Sequence, residues 1–351
     1  MMRSLVRWVL IFVLVSVPAL AGAVRVHSIY QDEVLVASQS SKDKSHALQE
    51  ALADVFIKVS GNSRVMDSNP NLKVNLIHAD QYVQEFSYSS PKDAPKATPY
   101  LLFVRFDANA INRLLTEAGT PTWGQNRPLI LVWLALQTKD HPLDIVDSST
   151  DFERLLRQSA KQRGLPMIFP MMDVTDLSLV SINDVTTPVA ANLQQASQRY
   201  SSSAMLIGSV KQTNTEFSSH WQLVLGTSSW NWDVPGKSLP DVFSGVVDDV
   251  ADALATRYGL ITTGDVLSEL TLTISGIKQH ADLLSLMKYL QRLTPVSEVQ
   301  LRSVSGNEII LDLSLHGSRE SFVQAAALSK NLKPVTPATL TDGGLEYKWI
   351  P

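Results

Sequence analysis

The chain has 351 residues, 44% of them hydrophobic and 18% charged, with 30 Lys and Arg against 34 Asp and Glu for a formal charge of −4. That apolar fraction builds packed cores and excludes a disordered chain, and the slight acidic excess argues against a dedicated nucleic-acid binder, which carries a basic surplus. Without cysteine there are no disulfides, thiolate metal sites, cysteine nucleophile or lipidated cysteine; at roughly 100–200 residues per domain the length predicts two or three domains.

Residues 1–23 read as a signal peptide. Arg3 and Arg7 form a positive n-region, Trp8–Val17 is apolar apart from Ser16, and Pro18 precedes two small-x-small sites that predict cleavage after Ala21 or Ala23. An uncleaved anchor is the competing reading, but it needs about 20 apolar residues, and the stretch from Trp8 to Ala23 is shorter and carries Pro18. Cleavage removes two Arg and no acid, moving the formal charge from −4 to −6. No later apolar run approaches membrane length, so the expectation is a periplasmic protein without a transmembrane segment.

Residues 24–119 form a first α/β domain. Val24–Ser38 is extended, with Val34, Leu35 and Val36 as a buried strand-like run. Ser40 and Asp43 predict a capping box, and Ala47, Leu48, Ala51, Leu52, Val55, Phe56 and Val59 lie on one helical stripe that Gly61 ends. A second helix is predicted over Leu72–Phe86, a loop over Ser89–Pro99, a strand over Tyr100–Phe106 and a short helix over Ala108–Ala118. Residues 120–128, holding Pro121, Gly124 and Pro128, are the expected linker.

Residues 129–262 form a central α/β domain. Leu129–Leu136 is apolar throughout, as in a strand covered on both faces. Helix Phe152–Arg163, strand entry Pro166–Pro170, helix Val189–Tyr200 and strand Ala204–Val210 follow. A meander of Phe217–Leu225 and Ser229–Val234 precedes helix Pro240–Tyr258, whose stripe runs from Val242 to Tyr258. Residues 263–351 read β-α-β-β-α-β, the ferredoxin-like split unit. Its signals are the alternation of Leu270, Leu272 and Ile274, a leucine-rich helix to Leu293, strands Val296–Val304 and Ile309–His316, helix Glu320–Leu328 and strand Leu345–Trp349. The fold class is thus α/β and α+β in three small consecutive domains.

Local catalytic signatures are missing. No two of the seven histidines (27, 46, 78, 141, 220, 280 and 316) lie within four residues, so HExxH-type zinc spacings do not occur, and there is no GxSxG or GxGxxG. Gly236-Lys237-Ser238 imitates the end of a phosphate loop, but Asn231 stands where its first glycine is needed; Ser238 reads better as a helix cap. Asp248, Asp249 and Asp252 read as a solvated helix face opposite the valine stripe rather than a cation site. Asp173, Asp176 and Asp184 fall in an expected loop after Pro170, the best place to look for a ligand, although their spacing is not that of an EF-hand. Trp221, Trp230 and Trp232 make a tryptophan-rich meander that either packs on the following helix or forms a binding platform; packing is the commoner use. No catalytic, cofactor or metal residue is assigned.

Two runs, His46–Asn62 (HALQEALADVFIKVSGN) and Ala79–Tyr88 (ADQYVQEFSY), resemble an uncharacterised family of exported proteobacterial proteins, domain-of-unknown-function family 2066. The buried strand at Arg127–Leu136 and the Ala204–Val210 strand before the tryptophan hairpin also fit. The resemblance implies a Gram-negative periplasmic protein and brings no active-site residues. The first two domains are similar, at the level of fold, to envelope-assembly modules such as the first domain of flagellar assembly protein T and the domain preceding the Tol-system propeller. The resulting expectation is a non-enzymatic protein of cell-envelope assembly or maintenance with another envelope protein as partner and no nucleic acid. The alternative is a periplasmic glycan-binding protein or hydrolase whose site lies in the central domain.

Overall fold

The computed structural model describes residues 23–187, 190–260, 267–329, 331–335 and 344–350. Residues 1–22, with the signal-peptide core, and the boundary at residues 262 and 263 lie outside the described residues.

In the first block, β1 (Ala23–Arg25) leads through a short 3-10 turn to β2 (Gln31–Val36), followed by α1 (Ser41–Ser60), α2 (Val65–Ser68), α3 (Pro70–Leu76), β3 (Val83–Ser89), β4 (Tyr100–Phe106) and α4 (Ala108–Glu117). The sheet is antiparallel in the order β2-β4-β3. All seven stripe residues of α1 are buried, packed with Leu102, Val104 and Phe106 of β4 and with Ile111 and Leu115 of α4. Half of the expected capping box forms: Ser40 Oγ accepts the Asp43 N–H, while the Asp43 carboxylate takes the Ser38 hydroxyl at 2.6 Å. Leu35 is exposed between buried Val34 and Val36, so this edge strand alternates.

The expected helix over Leu72–Phe86 is replaced by three elements: α3, a 3-10 turn at Ala79–Tyr82, and β3. Tyr, Val and Phe favour a pleated, half-buried surface, and the free edge of β4 satisfies the backbone of Val83–Ser89. Tertiary pairing overrides a helical pattern there.

After β5 (Asn126–Pro128) the central block holds β6 (Ile130–Gln137), β7 (Asp144–Ile145), α5 (Asp151–Gln162), β8 (Met167–Ile168), α6 (Val174–Leu179), α7 (Ile182–Thr186), α8 (Ala190–Ser197), β9 (Ala204–Thr213), β10 (Glu216–Leu225), β11 (Ser228–Asp233) and α9 (Leu239–Tyr258). The sheet runs β11-β10-β9-β6-β7, with β8 also on β6; β6 is parallel to β8 and β9. Ile130, Val132 and Leu134 of β6 face α5 and α9, whereas Leu131, Trp133 and Ala135 face α7 and α8. Cover on both faces explains the unbroken apolar run.

The last block contains β12 (Leu267–Ser275), α10 (His280–Leu290), β13 (Val296–Ser305), β14 (Glu308–His316), α11 (Arg319–Ala327), β15 (Leu332–Pro334) and β16 (Leu345–Trp349). Its order, β13-β14-β12-β16-β15, has one strand more than the expected six-element unit. The short β15 takes the outer edge, and β16 slots between it and β12, parallel to β12. The alternating leucines of β14 fill the core.

The segment 120–128 is no free tether. Trp123 and Arg127 are buried, Trp123 N–H bonds the Val59 carbonyl at 2.7 Å, and β5 pairs with β1. Gly61 shows how tightly the first two blocks meet. It adopts φ +70, and a Cβ there would lie 2.3 Å from that of Ala255 on α9; glycine alone fits both demands.

Candidate functional site

The acidic residues that the sequence singles out are committed to structure. The expected loop after Pro170 is two short helices, α6 and α7. Asp173 caps α6, accepting the Thr175 and Asp176 N–H groups, and forms a two-pronged pair with Arg199 at 2.7 and 2.8 Å. That charge-assisted bonding holds its carboxyl down at about 2. Asp176 is fully buried and accepts from the Met172 N–H, from Arg199 and from the Tyr200 hydroxyl. Asp184 closes a capping box with Ser181 and accepts from Asn192. Each oxygen of Asp176 already has a partner, so this cluster is a clamp rather than a cation cage. Among the described residues no three His, Asp or Glu side chains converge as metal ligands.

What the clamp presents is apolar. Val174 and Leu177, three apart on α6, are 84% and 63% exposed, and Met171, in the turn that precedes the helix cap, is 62% exposed. The ion-pair network fixes their backbone to the Arg199–Tyr200 segment, and the Met171 N–H itself bonds the Tyr200 hydroxyl at 2.9 Å. A clamped helix start carrying three neighbouring, solvated apolar side chains has the character of a contact surface. The spacing 171–174–177 was legible in the sequence; its outward direction was not.

Asp248 and Asp252 do not form the solvated face expected of them. Both pair with Arg163, the Asp252 bond measuring 2.7 Å, and Arg163 also donates to the Gly61 carbonyl. Asp252 further accepts the Ser63 N–H and hydroxyl. These acids join α9 to α5 and to the end of α1. Asp249 has no such cation among the described residues, and burial together with Asp252 and Asp248 raises its carboxyl pKa. The tryptophan meander resolves to packing: Trp221 is fully buried edge-on to Phe243, and Trp230 and Trp232 lie against the same core.

One titratable group was missed. Between the first and central blocks a cleft of about 280 Å³ is walled by Gln31, Asp32 and Lys58 on one side and by Gln158, Lys161 and Gln162 of α5 on the other. Lys58 is nearly fully buried and donates to the Gln31 carbonyl at 2.7 Å and to Asp32 at 3.2 Å. Lys161 bridges the mouth to Glu33 at 2.8 Å. Behind Asp32, burial and the neighbouring, hydrogen-bonded Asp32 carboxyl push Asp54 up to about 7, against the pull of Lys58. A carboxyl that holds its proton near neutrality beside a second carboxyl and an ammonium can give or accept a proton. Asp54 and Lys58 stand four apart on α1, which reads in sequence as an ordinary helix ion pair; only β2 docking on that face supplies Asp32.

Residues 23–124 match the profile of a family described as a domain of unknown function (DUF8605). The match spans the first block and the start of the segment leading to β5; it is to this family and not to family 2066. No curated protein and no solved structure matches the chain. Among the described residues no helix is long and apolar enough to cross a membrane.

Proposed function

We propose that this chain is a non-enzymatic periplasmic protein that acts through protein contacts in cell-envelope assembly or maintenance. The observation that carries the reading is the exposed apolar patch Met171, Val174 and Leu177, beside the bonds that tie Asp173 and Asp176 to Arg199 and Tyr200. Three solvated apolar side chains beside that network are accounted for by a partner that buries them. Export rests on residues 1–23, whose positive n-region, apolar stretch and small-x-small sites read as a signal peptide.

The test compares wild type with the Met171→Ser, Val174→Ser, Leu177→Ser triple variant in cross-linked periplasmic pull-downs. One envelope protein should be recovered in near-stoichiometric amount with wild type and lost with the variant, whose melting temperature should stay within about 2 °C because the replaced side chains are solvated. Equal recovery by both chains sinks the patch as the contact.

The cleft beside Asp32 favours a second reading, a ligand binder or hydrolase. Asp32 and Lys58 line it, and Asp54, whose carboxyl is pushed up to about 7, lies behind Asp32 rather than in the wall, so a proton from it would have to pass through Asp32. Glycan fragments titrated against the labelled chain would shift resonances of Lys58 and Gln158; silence at those positions removes this alternative.

A further inference from the structure

Where β1 and β5 meet the last block, a second pocket of about 240 Å³ opens, and among the described residues its charged lining is two arginines, Arg25 and Arg292. Arg25 ends β1 opposite Asn126 of β5, and Arg292 follows α10. Arg25 uses its Nε on the Gln125 side chain at 2.8 Å, which leaves its terminal nitrogens uncommitted. Arg292 has no side-chain hydrogen bond or ion pair among the described residues, and neither arginine meets a carboxylate within ion-pair distance there. The two guanidiniums do feel each other: burial and then Arg292 lower the affinity of Arg25 for its proton. The rest of the wall is rich in neutral hydrogen-bonding groups, with Ser285, Tyr289, Ser329 and Asn126 among them. Burial pushes Tyr289 up to about 12, so its hydroxyl stays neutral.

Arg25 and Arg292 are both exposed at the rim of this pocket, so water screens them, yet their like charges repel with no carboxylate between them among the described residues, whereas the buried Arg127 and Arg163 are paired with carbonyls or carboxylates. A bound anion between them replaces that repulsion with two attractions. A carboxylate would neutralise one of the two charges, whereas a phosphate monoester is close to a dianion at neutral pH and offers three oxygens to planar guanidinium forks and hydroxyls. The volume is below that of a drug-sized site, which suits a headgroup whose remainder projects into solvent. We propose that this pocket binds a phosphate monoester, with Arg25 and Arg292 holding the dianion and Ser285 and Tyr289 hydrogen-bonding its oxygens. The chemistry is shared by soluble phosphoesters and by a phosphatidate headgroup.

The experiment titrates the full-length chain with glycerol 3-phosphate by calorimetry and, separately, with phosphatidylcholine vesicles with and without phosphatidate. Arg25→Gln and Arg292→Gln are compared with Arg154→Gln, an equal change of charge on exposed α5. Saturable binding that falls tenfold or more in the first two variants and is unchanged in the third supports the site. Response to both probes assigns a soluble or lipid phosphoester, and response to the vesicles alone assigns the headgroup. If either variant fails to fold, wild type is treated with phenylglyoxal and modification of Arg25 and Arg292 is mapped by mass spectrometry; protection by the phosphoester supports the site. No saturable binding of either probe, equal loss in all three variants, or no protection overturns it.

Discussion

Replacing Arg127 with Met tests whether the segment between the first two blocks is a staple. Arg127 is completely buried, and its guanidinium donates to the carbonyls of Lys58 and Arg163 at 2.6 Å each, to those of Trp123 and Gly164 at 3.2 and 3.3 Å, and through Nε to that of Gly124 at 3.3 Å. Its carbon lies 4.1 Å from the Trp123 ring centre, and that ring stacks in turn on Tyr258 of α9. One side chain therefore closes the end of α1, the turn after α5 and the approach to β5. Burial pushes its pKa down to about 9, so it remains charged at neutral pH. Methionine fills much of the volume but leaves the carbonyls without donors. Two short charge-assisted bonds at ~1.5–3 kcal/mol each, less the relief of no longer burying a cation, put the loss at about 4 kcal/mol. For a cooperative unit of this size that is a fall in Tm on the order of 5–10 °C. Arg127→Lys keeps the charge but presents a single nitrogen, and should recover about half of the loss. Urea unfolding followed by far- and near-UV circular dichroism measures both. An Arg127→Met chain within about 0.5 kcal/mol of wild type would mean that water satisfies those carbonyls and would refute the staple.

Further predictions follow from two other sites. Asp54 has its folded pKa raised from 3.8 to about 7, so the fold binds its proton more tightly than the unfolded chain does. That stabilising difference is complete below the lower value and is lost as pH climbs through this window, making the chain less stable at pH 8 than at pH 5 on this account. Asp54→Asn should flatten that dependence and raise stability at pH 8 by about 1–2 kcal/mol, allowing for solvent screening; an unchanged pH slope in urea titrations contradicts it. On β9, Gly208 sits opposite Trp221, and a Cβ there would come within 2.2 Å of the indole. Gly208→Ala should cost about 1–3 kcal/mol by overpacking, and adding Trp221→Leu should recover part of it in a double-mutant cycle. Strict additivity of the two changes would rule out that contact as the cause.

The elements read from sequence succeed where one period dominates a long segment. The stripe of α1 from Ala47 to Val59, the apolar β6 and the valine face of α9 all lie where their periodicity puts them, because each buries its pattern against a single continuous core. The reading fails at β3, where Tyr82–Tyr88 carries both helical spacing and strand-forming residues and the free edge of β4 decides. It fails again at Asp248 and Asp252. Their i, i+4 spacing opposite an apolar stripe is that of a solvated face, but Arg163 arrives from a helix some ninety residues earlier. Sequence spacing carries no information about which cation another element will bring.

Composition and periodicity by themselves determined that the chain is a cysteine-free assembly of small α/β and α+β units, for burial of apolar residues at helical or strand spacing is a local demand on each element. Tertiary structure decided the rest. It spent Asp173, Asp176 and Asp184 as caps and clamps, turned Met171, Val174 and Leu177 outward, and set Asp32 beside Asp54. It also brought Arg25 to Arg292 across the chain. Exposure and proton affinity depend on neighbours distant in sequence, and those neighbours exist only once the blocks have docked.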